Sequence, residues 1–250
     1  MLQFNSVTFG YPKEKNNIIE DLNFRLAPGE FVCLVGPSGC GKSTIFRLVN
    51  QLLSPTQGEI CVNGTNIQGQ KYYCGYMPQS DMLFPWRSIK ENVMLPMEIQ
   101  KKFSKKEMEE KAEEALTMVG LKDWMEKSPR ELSGGMRQRA AFARTVMTGS
   151  NLLLLDEPFS ALDYLTRLSM REWLLKQWEQ DKKTVLFITH DVEEALYLSS
   201  RILIVEKRPI TSITSIDVPA DYPRSRESLQ SAQMLSLKEE LIERLRRAEA

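Results

Sequence analysis

Residues 36–44 read Gly36-Pro37-Ser38-Gly39-Cys40-Gly41-Lys42-Ser43-Thr44, and they follow the apolar run Phe31–Val35 without a break. A continuous apolar run of this kind suits a strand buried on both faces. The residues after it match G-x-x-x-x-G-K-[ST]. In that loop the glycines let successive backbone N–H groups turn inward around phosphate oxygens at the start of a helix. Lys42 would reach the β- and γ-phosphates of a nucleotide, and the Ser43 hydroxyl would ligate Mg²⁺. Strand, glycine loop and helix in this order constrain the chain to an α/β architecture, with a helix expected from about residue 42 to 53.

A second apolar run, Leu152-Leu153-Leu154-Leu155, ends in Asp156-Glu157-Pro158. A buried strand delivers Asp156 to its carboxyl edge, where α/β sheets bind ligands. Asp156 would hold Mg²⁺ through its water shell, and Glu157 would orient or deprotonate an attacking water. Alone, the pair reads equally well as a solvated strand end before a proline turn. Beside a phosphate loop, an acid of this kind is what an Mg·ATP site requires.

Residues 2–9 and 18–26 partly alternate apolar and polar, as antiparallel strands do. Residues 58–62 and 73–77 read as strands, with Asn63-Gly64 as a turn. From about residue 80 to 148 the pattern becomes helical. Ser104 and Glu107 form a capping box ahead of Met108, Ala112, Ala115, Leu116 and Val119, and another helix starts after Ser133. Strand signals return at 152–155, 184–189 and 201–205, with helices near 164–180 and 192–198. The expectation is an α/β core over residues 1–215, a parallel-rich sheet with an antiparallel β-subdomain, into which a helical subdomain of about 80–148 is inserted. Residues 216–250 form a tail. Residues 207–228 read as irregular, and Met234, Leu237, Leu241 and Leu245 recur at helical spacing on a final amphipathic helix.

Lys+Arg (33) balances Asp+Glu (33), a formal net charge of +0, which speaks against a general nucleic-acid binder. Cys33, Cys40, Cys61 and Cys74 lack the C-x-x-C spacing of a zinc or redox motif, and Cys33 reads as a small core residue. Free thiols fit a reducing compartment. The opening residues lack a charged start followed by an apolar stretch, so no signal peptide is expected. The longest apolar runs are too short to span a bilayer.

One further motif, Leu132-Ser133-Gly134-Gly135-Met136-Arg137-Gln138-Arg139, lies between the phosphate loop and the carboxylate strand. With it the chain resembles the ATP-binding cassette ATPases, whose signature is LSGGQ; Met136 departs at the fifth position. The resemblance covers about residues 1–215 and implies a P-loop NTPase fold with ATP and Mg²⁺ as ligands. It assigns phosphate contacts to residues Gly36, Pro37, Ser38, Gly39, Cys40, Gly41, Lys42, Ser43 and Thr44, and adenine stacking to Tyr11. It makes Gln79 the sensor of Mg²⁺ and the γ-phosphate, Glu157 the catalytic carboxylate and His190 the switch histidine. Ser43, Gln79 and Asp156 are the implied metal ligands. Ser133, Gly134 and Gly135 would contact the nucleotide of a second copy in a head-to-tail dimer, and Asp163, in Ser160-Ala161-Leu162-Asp163, lies in the loop that crosses to that copy.

Residues 80–93, which include Leu83-Phe84-Pro85-Trp86, together with Gly134-Gly135-Met136-Arg137-Gln138-Arg139 and the tail Ile216-Asp217-Val218-Pro219 through Arg224-Ser225-Arg226, look like the ATPases of nitrate, sulfonate, taurine and pyrimidine-precursor importers. In the family the former region docks a coupling helix of the membrane subunit, and Phe84 and Trp86 suit such a groove or the inside of the helical subdomain. The resemblance implies a peripheral subunit on the cytoplasmic face of the cell membrane. Its partners would be transmembrane permease subunits and, indirectly, an extracytoplasmic solute-binding protein. An exporter would usually carry fused membrane helices. The competing expectation, a soluble cassette ATPase acting on ribosomes or DNA, usually comes with paired cassettes or long coiled coils, which this sequence lacks. A degenerate cassette would lack Lys42, Asp156, Glu157 or His190.

Overall fold

The computed structural model describes residues 1–12 and 14–249. In chain order the elements begin with β1 (Leu2–Phe9), β2 (Ile19–Leu26), β3 (Phe31–Val35), α1 (Lys42–Val49), β4 (Gln57–Val62), β5 (Thr65–Asn66) and β6 (Cys74–Met77). Then come α2 (Ile89–Gln100), α3 (Lys105–Met118), α4 (Gly134–Val146), β7 (Leu152–Asp156) and α5 (Tyr164–Asp181). The chain closes with β8 (Thr184–Ile188), α6 (Val192–Leu198), β9 (Arg201–Ile204), β10 (Thr214–Asp217) and α7 (Ala232–Glu249). Two compact units result, one of Met1–Lys71 with Leu175–Ala250 and one of Tyr72–Leu174.

In the first unit, β2, β1, β4 and β5 form an antiparallel sheet in that order. The β4–β5 hairpin turns through Asn63 (φ 54°) and Gly64 (φ 76°), both left-handed, as a two-residue hairpin loop requires. At the bulged end of β1 the chain approaches so closely that a Cβ on Gly58 would lie 2.2 Å from the Ser6 carbonyl oxygen. Strands β3 and β8 pair in parallel, as do β3 and β9, while β10 runs antiparallel to β9. Every residue of β3 and β8 is buried. Phe31 packs edge-on to Trp178 at 5.8 Å and tilted against Phe187 at 5.9 Å, each such buried side chain contributing about 1.5–3 kcal/mol.

The second unit carries the parallel pair β6–β7 and helices α2 to α4, with the start of α5. Helices α2 and α3 both begin in complete capping boxes, Ser88 with Glu91 and Ser104 with Glu107. Ser133 caps α4 by accepting from Met136 N–H at 3.3 Å.

The larger departures from the sequence reading are at α1 and in residues 207–228. Helix α1 stops at Val49, not near residue 53, because the Asn50 side-chain carbonyl takes the Leu52 N–H (3.1 Å) and Gln51 turns left-handed at φ 61°. Residues 207–228 contain β10, paired to β9 from Thr214↔Ile204 to Asp217↔Arg201. Its largely polar residues are typical of a sheet edge. Strand β7 includes Asp156 as its last residue.

Candidate functional site

The phosphate loop belongs to the first unit and depends on glycine at specific places. Gly36 approaches the Val205 carbonyl so closely that a Cβ would lie 2.5 Å from its oxygen. Gly41, at φ 116°, would drive a Cβ to 2.8 Å from Ile18 Cγ2. Lys42 Nζ donates to the carbonyls of Gly36 (2.7 Å) and Pro37 (2.8 Å) and lies 3.8 Å from Cys40 Sγ, so the loop curls around the ammonium. Cys40 and Thr44 are buried; Ser38 and Gly39 are exposed.

Helix α1 differs from α2, α3 and α4 at its start. Its N-cap is Gly41, which offers no side chain to the first N–H groups, and its first turn holds no acid. Those amides and Lys42 together present positive potential to an anion. That donor set fits a nucleotide phosphate chain. Among the described residues no cluster of three or more His, Cys, Asp or Glu could cage a metal alone.

Tyr11 lies beside the same loop. Its hydroxyl is 3.4 Å from Thr44 Oγ1 and accepts from Arg47 at 3.3 Å, while Phe9 packs edge-on to its ring at 5.1 Å. Arg47 carries no motif signal: it is an exposed arginine on a helix, recognisable only by this contact. His190 follows β8 in the same unit and is exposed, directly after buried Thr189.

The second unit brings Gln79, Glu157, Gln138 and Ser160 together. Gln79 Nε2 donates to Glu157 Oε2 at 3.1 Å. Asp156 is 4% exposed at the end of β7. Glu157 next to it takes the left-handed region at φ 49°, rare for a side chain of this kind and costing about 1–3 kcal/mol. Local bonds hold that conformation. The Glu157 carbonyl accepts from Ser160 Oγ (3.0 Å) and Gln138 Nε2 (3.4 Å), and Gln138 Oε1 accepts from Ala161 N–H at 3.0 Å. Gln138 is buried on α4 and is a tie the sequence reading passed over.

Ser133 and Gly134 are exposed at the start of α4, and a Cβ on Gly135 would meet Leu162 at 3.2 Å. Asp163 accepts from Thr166 N–H at 3.0 Å, the geometry of a helix cap. The Thr166 hydroxyl and amide hold its carboxyl below the usual carboxylate range.

The loop from Gln79 to Arg87 is pinned from two helices. Arg144 of α4 donates to the carbonyls of Asp81 and Met82, both at 2.7 Å, and Arg137 pairs with the Asp81 carboxylate at 3.0 Å. Asn92 of α2, fully buried, accepts from Phe84 N–H at 2.7 Å and donates to the carbonyls of Phe84 and Ser88. Above this support Phe84 and Trp86 stack at 4.9 Å, with Trp86 75% exposed. No helix among the described residues is long and apolar enough to cross a membrane.

Residues 19–160, more than half of the chain, match the ABC transporter family. Among curated relatives, the formylaminopyrimidine import ATP-binding protein of Halalkalibacterium halodurans is 45% identical over 96% of this chain and 94% of its own. An aliphatic sulfonates import ATP-binding protein of Bacillus cereus is 39% identical over 91% of this chain and 90% of its own. Among solved structures, a dimeric ATP-binding cassette in a post-hydrolysis state, bound to ADP and Pi, superposes with a TM-score of 0.80 at 29% identity. It covers 88% of this chain and 100% of that one. By these matches the chain belongs to the ABC transporter family and is an ATPase of that family.

Proposed function

We propose that this chain powers the uptake of a small solute across a cell membrane by binding and hydrolysing ATP on its cytoplasmic face, as a peripheral subunit. Two copies would pack head to tail, each ATP lying between the phosphate loop of one and the Ser133–Gly135 segment of the other. The phosphate chain would take the amides of residues 36–44 and the Lys42 ammonium, and Tyr11 would stack on the adenine. Ser43, Gln79 and Asp156 would hold Mg²⁺, which neutralises phosphate charge when bound. Glu157 would receive the proton of the attacking water, and His190 would steady the γ-phosphate. Asp163 would order the crossing loop between the copies.

The observation that carries this reading is the Glu157 carboxylate, 3.1 Å from Gln79 and held on a left-handed backbone. A left-handed backbone at an acid whose carboxylate also meets a glutamine side chain supports that role. The relatives point to the solute class: their names give a formylaminopyrimidine and aliphatic sulfonates. We assign this chain to the same group of nitrate, sulfonate, taurine or pyrimidine-precursor uptake systems. Trp86, exposed and stacked on Phe84, suits the permease contact, since aromatic anchors dominate interface energies. An extracytoplasmic binding protein would select the solute.

The test is Glu157→Gln. Turnover should fall by about 100-fold or more, while ATP still binds and holds the two copies together on gel filtration. Unchanged turnover would remove Glu157 from its role. A pull-down from detergent-solubilised membranes should recover a polytopic membrane protein; ribosomes or DNA in its place would overturn the transport reading.

A further inference from the structure

The tail residues 218–224 have no part in the chemistry above, yet they bind the helix that starts beside His190. Arg224 is 4% exposed and spends its guanidinium on backbone carbonyls. It donates through Nη1 to Leu196 (2.8 Å), Tyr197 (3.4 Å) and Ser199 (2.5 Å), and through Nε and Nη2 to Ala220 (3.0 and 2.7 Å). Tyr222 adds a bond from its hydroxyl to the Leu198 carbonyl at 2.8 Å, and its ring lies 4.3 Å from the guanidinium carbon. These acceptors close α6. A helix leaves its last carbonyls without intrahelical partners, and a cation there also meets the negative end of its dipole.

Helix α6 is 7 residues long, too short to persist by its own propensity, so its ends decide its position. At the front, Asp191 accepts from Glu193 N–H (2.8 Å) and Glu194 N–H (3.2 Å). Thr189 donates to the buried Glu194 carboxylate at 2.6 Å and accepts from Asp191 N–H at 3.0 Å. His190 lies between these two anchored residues. A helix clamped at its back by Arg224 and Tyr222 also holds its front end, beside the histidine, about 10 Å away along the axis.

We infer that Arg224 is a positioning residue for ATP hydrolysis, acting on His190 through α6, with Tyr222 as its helper. The inference rests on the reading of His190 as the γ-phosphate switch. Misplacement of such a group lowers the rate of the chemical step more than the affinity for nucleotide.

The experiment compares steady-state ATPase kinetics and melting temperature in Arg224→Gln, Arg224→Lys, Tyr222→Phe, His190→Ala and Ile60→Ala. The last truncates a core residue of β4 and serves as the stability control. Below all melting transitions, Arg224→Gln should lose kcat by about tenfold with KM for ATP within about twofold of the parent. Tyr222→Phe should lose about threefold, and it carries the test if Arg224→Gln does not fold. Arg224→Lys should restore part of the rate, since an ammonium still reaches some of the carbonyls. Adding Arg224→Gln to His190→Ala should lower kcat no further. If the Arg224 and Tyr222 variants keep the kcat of the Ile60→Ala control, the inference is overturned. Should His190→Ala itself retain full turnover, the reading of His190 falls, and the inference with it. Loss of turnover in His190→Ala alone would overturn the inference and leave that reading intact.

Discussion

Asn92 supports the exposed aromatic pair, and its replacement separates two effects that usually travel together. The side chain is 0% exposed. Its Oδ1 accepts from Phe84 N–H at 2.7 Å, and its amide donates to the carbonyls of Ser88 (2.9 Å), Phe84 (3.1 Å) and, more weakly, Arg87 (3.4 Å). Asn92→Ala removes three good hydrogen bonds. At about 1 kcal/mol each, the chain should lose about 3 kcal/mol. Asn92→Asp keeps the shape and the acceptor for Phe84 N–H but turns an anionic oxygen toward three carbonyls. Burial and those dipoles raise the folded-state pKa of the introduced carboxyl above its unfolded value. The stability of this variant is therefore present below the unfolded pKa, about 3.9, and is lost as pH rises through the folded-state pKa.

Urea midpoints across pH should place Asn92→Asp below Asn92→Ala in mildly alkaline buffer and close the gap on acidification. Both variants should recover less permease in the pull-down, because Phe84 and Trp86 lose their support. An Asn92→Asp variant as stable as the parent in alkaline buffer would refute the reasoning.

Gly58→Ala should destabilise by about 3 kcal/mol or more, because a left-handed backbone and a 2.2 Å approach to the Ser6 carbonyl act together. Gly64→Ala shares φ 76° but meets nothing within 4 Å, so thermal melts should show only about 1–2 kcal/mol there. Equal losses at the two sites would contradict the close-approach argument. Burial pushes the Tyr222 phenol above its ordinary range. Between about pH 10 and that raised value, the unfolded chain releases a proton that the folded chain keeps. Stability should then fall by about 1.4 kcal/mol per pH unit, and Tyr222→Phe should lack that part of the alkaline slope in urea titrations.

The sequence displayed much of what is built from neighbours in the chain. The strand, loop and helix around Lys42, the capping box at Ser104 and the cap at Ser133 are local patterns, and the structure forms each of them. Of Met234, Leu237, Leu241 and Leu245, read as an apolar stripe, the first three are buried on α7 and Leu245 is half-buried. What escaped detection depends on partners far away in sequence. β10 carries mostly polar residues because it lies at a sheet edge, so periodicity missed it. Arg224 reads as a surface charge until its carbonyl acceptors on α6 are known. The left-handed turn at Glu157 leaves no trace in residue type, since glutamate has no preference for it. The early stop of α1 was visible in principle, because Asn50 is a residue that competes with the helix for backbone donors.

Gln138 joins two stretches that the chain keeps 19 residues or more apart, reaching the Glu157 carbonyl, the Ser160 hydroxyl and the Ala161 amide from α4. A carboxamide that gives and accepts across such a gap works as a rivet. The beginning of α4 and the turn after β7 thus have no joint between them. Displacing either stretch from the other would break all three of these bonds at once.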